Sequence, residues 1–256
     1  MNCPICQSKA THITTSPYDY AVYSCVNDNC DHLFLDESSG PSGICHLSET
    51  LSQVMDEQKR HFQEYGERNR RLIYDLRLRG FIYDGADILD FGAGFGGVSH
   101  AIKEQIPTAS ITAIEACDSQ RALLNIQGIK TYPSLERAGE KTFDFIVMIE
   151  VLEHLQDPVA FLGTLSGFVK NNGVIFITTP CGRLKNGTLF GGFDTKSHQH
   201  FFSEKSLGCC LKKCGFRVPR FEYLRSFYPD NGLVDRWMPQ LTDTGHCHLV
   251  TFAELR

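Results

Sequence analysis

Ile88-Leu89-Asp90-Phe91-Gly92-Ala93-Gly94-Phe95-Gly96-Gly97 decides the fold. An apolar run of strand length meets a turn built almost wholly from glycine. The helical pattern FGGVSHAIKEQI follows. Gly92 and Gly94 lack a Cβ, so the main chain can take unusual angles there and a ligand can approach it closely. A strand, a glycine turn and a helix in that order predict the first βα unit of an open α/β sheet. Such sheets bind ligands at the carboxyl ends of their strands.

Outward from this stretch, strands and helices alternate. ASITAIEA, the weaker GIKTY, FDFIVMIE and GVIFITTP read as strands, and SQRALLNIQ and PVAFLGTLSGFVK as helices between them. Asp157 followed by Pro158 predicts a helix start, with the acid as N-cap. SEKSLGCCLKKCG is a helix closed by Gly215, and FRVPRFEYLRSF and HCHLVTFAELR are two final strands. This alternation predicts a mostly parallel, seven-stranded sheet with helices on both faces over residues 85–256. Before it, residues 46–84 carry a helical pattern through Leu51, Val54, Met55, Phe62, Tyr65, Leu72, Ile73 and Leu76, with Gly66 as a possible break. The arginines at 68, 70, 71, 77 and 79 read as a solvated face. Residues 1–45 form a small cysteine-marked module ending in the linker DESSGPSG.

The chain has 256 residues, 42% hydrophobic content and a formal charge of -5. That is enough for one α/β domain and an appendage. The acidic balance argues against nucleic acid as a partner. No apolar run reaches the roughly 18 residues of a membrane span. MNCPICQSKA lacks the apolar core of an export signal, so a cytoplasmic location is expected.

Gly-x-Gly-x-x-Gly is also found in nicotinamide and flavin enzymes and is weak alone. Two acids sharpen it. Asp90 stands two residues before Gly92, with its carboxylate expected on the cofactor side of the turn. Glu115 ends the next strand, where it could accept both hydrogen bonds of a ribose diol. With these residues the chain resembles the class I methyltransferases that use S-adenosylmethionine (SAM). Asp90, Gly92 and Gly94 match that family's first motif. Ile149-Glu150-Val151-Leu152-Glu153-His154 is similar to its Glu-Val-Leu-Glu-His segment. The resemblance implies a Rossmann-like fold and SAM as cofactor. It implies contacts at Asp90, Gly92, Gly94, Phe95, Glu115, Ala116, Glu150, Val151 and His154, with a backbone contact to adenine near Leu135. The 46–84 segment would cover the cofactor as a lid, with Tyr65 and Arg70 as contacts.

The sulfonium methyl of SAM is already activated, so the protein must hold an acceptor in line and exclude water. A hydroxyl or carbon acceptor also needs a base, typically contributing about 10²–10⁴-fold. Ser197-His198-Gln199-His200, within residues 193–203, is similar to a Tyr-His-Glu-His stretch of zinc-containing sugar C-methyltransferases. That resemblance implies His200 as base and His198 as its support. Ser197 and Gln199 depart from it. The implied substrate is a small hydroxylated metabolite, first of all a sugar, methylated on oxygen or carbon, with oxygen favoured because the Tyr-His-Glu-His pattern is degraded.

Cys3-Pro4-Ile5-Cys6 lets two thiolates reach one tetrahedral ion. Cys25 and Cys30 follow after an 18-residue gap. The stretch looks like the zinc ribbons ahead of many methyltransferase domains, and implies structural Zn²⁺ on Cys3, Cys6 and Cys25. Cys30 or His32 would supply the fourth ligand. The remaining cysteines read as buried thiols. Two rivals stand beside this reading: a nicotinamide-dependent oxidoreductase, and a SAM-binding module without turnover. Methylation of RNA or protein is a third alternative, which the acidic balance disfavours.

Overall fold

A computed structural model describes residues 1–16, 18–36, 51–181, 183–185, 188–190, 197–218, 220–227, 234–238 and 247–255. Most of the linker expected at 36–43, Cys45, the helical segment before residue 51, and residues 193–196 lie outside them.

The N-terminal module is a three-stranded antiparallel meander, β1 (Ala10–Thr15), β2 (Ala21–Cys25) and β3 (Leu33–Leu35). α1 (Leu51–Leu78) follows as one continuous 28-residue helix. Gly66 does not divide it. A mid-helix glycine costs about 1 kcal/mol, and Leu72, Ile73 and Leu76 bury against the sheet domain, which holds the helix together.

The sheet domain then runs β4 (Asp87–Phe91), α2 (Gly97–Gln105), β5 (Ser110–Ile114), α3 (Asp118–Ile126), β6 (Lys130–Tyr132), α4 (Leu135–Ala138) and β7 (Phe143–Ile149). A 3₁₀ turn at Leu152–His154 leads to α5 (Pro158–Leu165) and the long β8 (Val169–Pro180). Asp157 accepts a hydrogen bond from the Ala160 amide, as the Asp-Pro signal requires. β9 (Arg183–Lys185) and β10 (Thr188–Phe190) pair as a small ribbon, and the two-residue β11 (His200–Phe201) precedes α6 (Glu204–Lys213). β12 (Phe216–Arg217), β13 (Phe221–Phe227), β14 (Val234–Met238) and β15 (Cys247–Leu255) complete the described chain.

The main sheet has the order β14-β13-β15-β8-β7-β4-β5-β6, with β12 paired to β15. β6, β5, β4, β7 and β8 are parallel; β15, β13 and β14 join antiparallel. The expected seven strands are present; FRVPRFEYLRSF contributes both β12 and β13, and β14 is an addition. β4 lies between β5 and β7, so the chain order reverses there and opens a crevice at the carboxyl ends of these strands. Ile88, Leu89, Phe145, Ile146, Val147 and Phe176 are fully buried because helices cover both faces.

The small module is not a loose appendage. β11 pairs antiparallel with β3, His200 opposite Phe34 and Phe201 opposite Leu33, so its sheet is completed by a strand from the large domain. Lys213 Nζ also donates to the Ile5 carbonyl at 2.6 Å. Cys3, Ile5, Cys25, Cys30 and Phe34 share one core with Phe143, Phe202 and Leu211. Among the described residues, no helix is long and apolar enough to cross a membrane.

Candidate cofactor and acceptor site

The glycine turn is held from both sides. The amides of Gly92 and Ala93 donate to the Ile114 carbonyl at 2.8 and 3.1 Å, which locks the end of β4 to the end of β5. Gly92 has φ +74°, and a Cβ there would stand 2.5 Å from Val151 Cγ2, so Val151 packs against bare backbone. Gly94 (φ +52°) differs: a Cβ built on it meets nothing within 4 Å, so its main chain faces open space. Glu115 joins the turn to the next helix. Its carboxylate accepts from the Gly94 amide at 2.7 Å and the Cys117 amide at 2.8 Å. A carboxylate offers about four lone-pair sites, so capacity remains for a ligand's hydroxyls. Ala116 is exposed beside it. Leu135 opens α4 just after β6, with its side chain buried.

Asp90 lies elsewhere than the sequence suggests. Its carboxylate turns inward, accepting from the Ser99 amide at 3.1 Å and the Ser99 hydroxyl at 2.6 Å, and it is only 4% exposed. It braces the first turn of α2 from beneath the glycine loop. Burial pushes its pKa up to about 6 against the pull of Ser99, and Glu115 pushes in the same direction.

α1 crosses the back of the turn. Gln58 donates to the Phe95 carbonyl at 2.8 Å, the His61 ring lies 5.5 Å from Phe95, and Asn69 occupies the space that a Cβ on Gly97 would need. The same His61 ring lies 4.8 Å from the Tyr65 ring, centre to centre. Arg70 is exposed and pairs with Glu67. The solvated arginine face is likewise only partly found. Arg68 is buried and helps hold Glu150 ionised, while Arg79 bridges Glu222 and lies 4.8 Å from the Trp237 ring centre. Spacing could not distinguish these inward arginines from their exposed neighbours.

The Glu-Val-Leu-Glu-His segment breaks from β7 at Glu150, whose φ is +54°. That bend sends its two acids to different fates. Glu150 accepts from Thr178 Oγ1 at 2.8 Å and meets His248 Nδ1 at 2.9 Å. Burial alone would raise its pKa, but His248, Arg68 and Thr178 hold it down near 2. Glu153 is carried inside with fully buried Leu152 and is 0% exposed. Neither of its carboxylate oxygens has a hydrogen-bond partner, and burial with nearby Glu150 drives its pKa well above the usual range.

His154 and His198 face this carboxylate, with Nε2 atoms 4.0 and 3.9 Å from Glu153 Oε1. The backbone fastens the segment: the Gln199 amide donates to the Glu153 carbonyl at 2.8 Å, and His154 Nδ1 donates to the Ser197 carbonyl at 2.9 Å. His200 takes the opposite direction. Pairing of β11 with β3 sets it against the small module, where its Nδ1 lies 3.0 Å from His32 Nε2, and it is only 4% exposed. Burial depresses its pKa to about 4. The expected role of His200 as base does not suit this placement, because its ring is committed to the interface with β3. His198 meets the acid instead. The structure also separates the two candidates for the fourth cysteine-site ligand. The sulfurs of Cys3, Cys6, Cys25 and Cys30 all lie within 4.8 Å of one another, while His32 is paired with His200.

The sheet order, the switch point beside β4 and the glycine turn define a Rossmann-like class I methyltransferase fold. Its family can be named as well: the profile of the Methyltransferase domain family matches residues 59–219, more than half of the chain, and the protein belongs to that family. A ubiquinone biosynthesis O-methyltransferase of Brucella anthropi is 32% identical over 173 residues, covering 60% of this chain and 68% of its own. N-methyltransferase 4 of Papaver somniferum is 30% identical over 151 residues, covering 53% of this chain and 42% of its own. The chain thus spans under half the length of that curated relative. Among solved structures, the Burkholderia thailandensis 1,6-didemethyltoxoflavin-N1-methyltransferase, bound to 1,6-didemethyltoxoflavin and S-adenosylhomocysteine, superposes with TM-score 0.53. It is 18% identical and covers 97% of this chain and 100% of its own, so the likeness is one of fold.

Proposed function

We propose that this protein binds SAM and transfers its methyl group to a hydroxyl oxygen of a small metabolite. One observation carries the reading: the open backbone of Gly94 is tied to Glu115, whose carboxylate keeps acceptor capacity facing the crevice. The bare bend suits the amino-acid end of the cofactor. Glu115 suits the ribose, and the main chain near Leu135 suits the adenine. Bound SAM would supply the activated methyl.

The chain's own residues do the rest. Asp90 stiffens the bend through Ser99, and Val151 packs under Gly92. Hydroxyl acceptors must lose a proton, and the imidazoles of His154 and His198, grouped around Glu153, stand beside the same strand ends. That favours oxygen over an amine, which carries its own lone pair. A sugar or other polyhydroxylated compound remains the narrower proposal, supported by the likeness of residues 197–200 to the sugar enzymes.

The four cysteines fit a structural Zn²⁺. Tetrahedral Zn–S bonds of about 2.3 Å need sulfurs about 3.8 Å apart; Cys3–Cys30 is 3.8 Å and Cys6–Cys25 is 3.3 Å. Such an ion would rigidify the loops that present β3 to β11.

Calorimetry with S-adenosylhomocysteine tests the cofactor. Release of that product from SAM across sugars, phenols and amines tests the acceptor. Turnover of hydroxyl compounds is expected, and turnover of amines alone would overturn the oxygen assignment.

A further inference from the structure

Glu153, His154 and His198 offer three ligand atoms within 4.8 Å of one another, apart from the cysteine cluster. A buried carboxylate with both oxygens unpartnered demands a counterpart, because buried polar groups are nearly always satisfied. Glu153 has that condition, and the buried Thr179 hydroxyl beside it offsets the cost of burial only in part. Glu150 does not supply the missing charge, being an acid already matched to His248. The two histidines are the groups aimed at Glu153, and each stands about 4 Å away, too far for a hydrogen bond. Ligand atoms around a first-row ion lie about 3.0–3.5 Å apart, given bonds of about 2.0–2.2 Å. A small rotation of each side chain would close the difference.

The tautomer suits a metal. His154 Nδ1 donates to the Ser197 carbonyl, which leaves the Nε2 lone pair directed at the cluster. A ligating histidine commonly has its other nitrogen fixed by a carbonyl in this way. The site is also anchored to itself, since the Gln199 amide next to His198 is held by the Glu153 carbonyl.

We infer that Glu153, His154 and His198 bind a divalent first-row transition ion, and that its open positions take an oxygen of the acceptor. Two imidazoles and one carboxylate favour Mn²⁺, Fe²⁺, Co²⁺ or Zn²⁺ over Mg²⁺ or Ca²⁺. Three protein ligands leave positions for water or substrate, in contrast to the four cysteines. An ion here would polarise a bound hydroxyl and lower its pKa. The acceptor part of this inference rests on the methyltransferase reading; the ion itself does not.

The test is titration of the full-length, zinc-loaded chain with Mn²⁺, following loss of the free-ion electron paramagnetic resonance signal. Mn²⁺ competes poorly for thiolates, so the cysteine site stays silent. One ion per chain is expected. Glu153→Gln and His198→Ala should each weaken binding by at least about 100-fold, more than the loss of an outer partner would. His154→Asn, at a partly exposed position, gives the same reading if either buried variant misfolds by circular dichroism. No uptake of Mn²⁺ and no Co²⁺ or Zn²⁺ beyond one ion per chain, or unchanged affinity in a folded variant, would overturn the inference. S-adenosylhomocysteine binding, measured on the same samples, separates the two ideas. If it persists without a second metal, only the metal site fails; if Mn²⁺ binds and the cofactor product does not, only the methyltransferase reading fails.

Discussion

Asp90→Asn should make the ligand-free protein more stable at neutral pH. In the wild type the Asp90 carboxyl is buried and titrates near pH 6, against a reference of 3.8. Its folded pKa is raised, so between these values the native state holds the proton more tightly than the unfolded chain does. The contribution to stability is therefore full below about pH 3.8 and is lost as pH rises through about 6. A shift of about two units at 1.36 kcal/mol each comes to about 3 kcal/mol. An asparagine keeps an oxygen for the Ser99 amide and hydroxyl but does not ionise. Other groups titrate equally in both proteins, so the difference between them isolates this one site. Urea unfolding of wild type and variant at pH 4, 5, 6, 7 and 8 gives that difference. It should grow in the variant's favour by up to about 1.4 kcal/mol per pH unit and level off above pH 7. The same substitution is expected to weaken cofactor binding by changing the charge beneath the glycine turn. A difference that stays flat across this range would refute the reasoning, because Asp90 would then not be a buried ionised acid.

Glu115→Gln should lower affinity for S-adenosylhomocysteine by roughly tenfold to a hundredfold in calorimetry, since charge-assisted hydrogen bonds are worth about 1.5–3 kcal/mol. Gly96→Ala should cost at least about 1–2 kcal/mol in chemical unfolding. The residue has φ +79°, and its Cβ would meet Leu124 Cδ2 at 2.3 Å. If the four cysteines hold the proposed Zn²⁺, a strong chelator should release amide protection at Leu33–Leu35 and His200–Phe201 in hydrogen exchange, while β4 stays protected, because the β3–β11 pairing depends on the small module. Lys170→Met should destabilise the protein by about 1 kcal/mol, discounted for partial exposure. Lys170 bridges Asp87 at 2.7 Å and Asp144 at 2.8 Å. Lys141 and Lys170 together depress the Asp87 pKa to about 2, so the variant should lose part of that shift and its stability should fall less steeply as pH drops toward 2. Asp87's contribution is present above its unfolded pKa and disappears as pH falls toward 2.

Local patterns were strong enough to reveal the βα alternation, the glycine turn and the N-cap at Asp157, because each depends on residues close along the chain. The inward turn of Asp90 was not legible. Its partner Ser99 is nine residues on, and the direction of a strand side chain depends on which face the helix covers. Residues 197–200 drew attention as a histidine pair, but the choice between the two histidines depended on β11 pairing with β3. His198 lies before that strand, beside Glu153, while the pairing of His200 opposite Phe34 sets its ring beside His32.

From sequence alone came the order of strands and helices, the acids at 90 and 115 and the two cysteine pairs, since hydrophobic period, backbone freedom at glycine and ligand spacing are all local properties. Tertiary structure decided which of the like residues face the site. It buried Glu153 while pairing Glu150 with His248, turned Arg68 inward and left Arg70 in solvent, and joined the small module to the large domain through one strand. Those outcomes follow from contacts between segments far apart in the chain, where burial and pairing, not spacing, select the environment of each side chain.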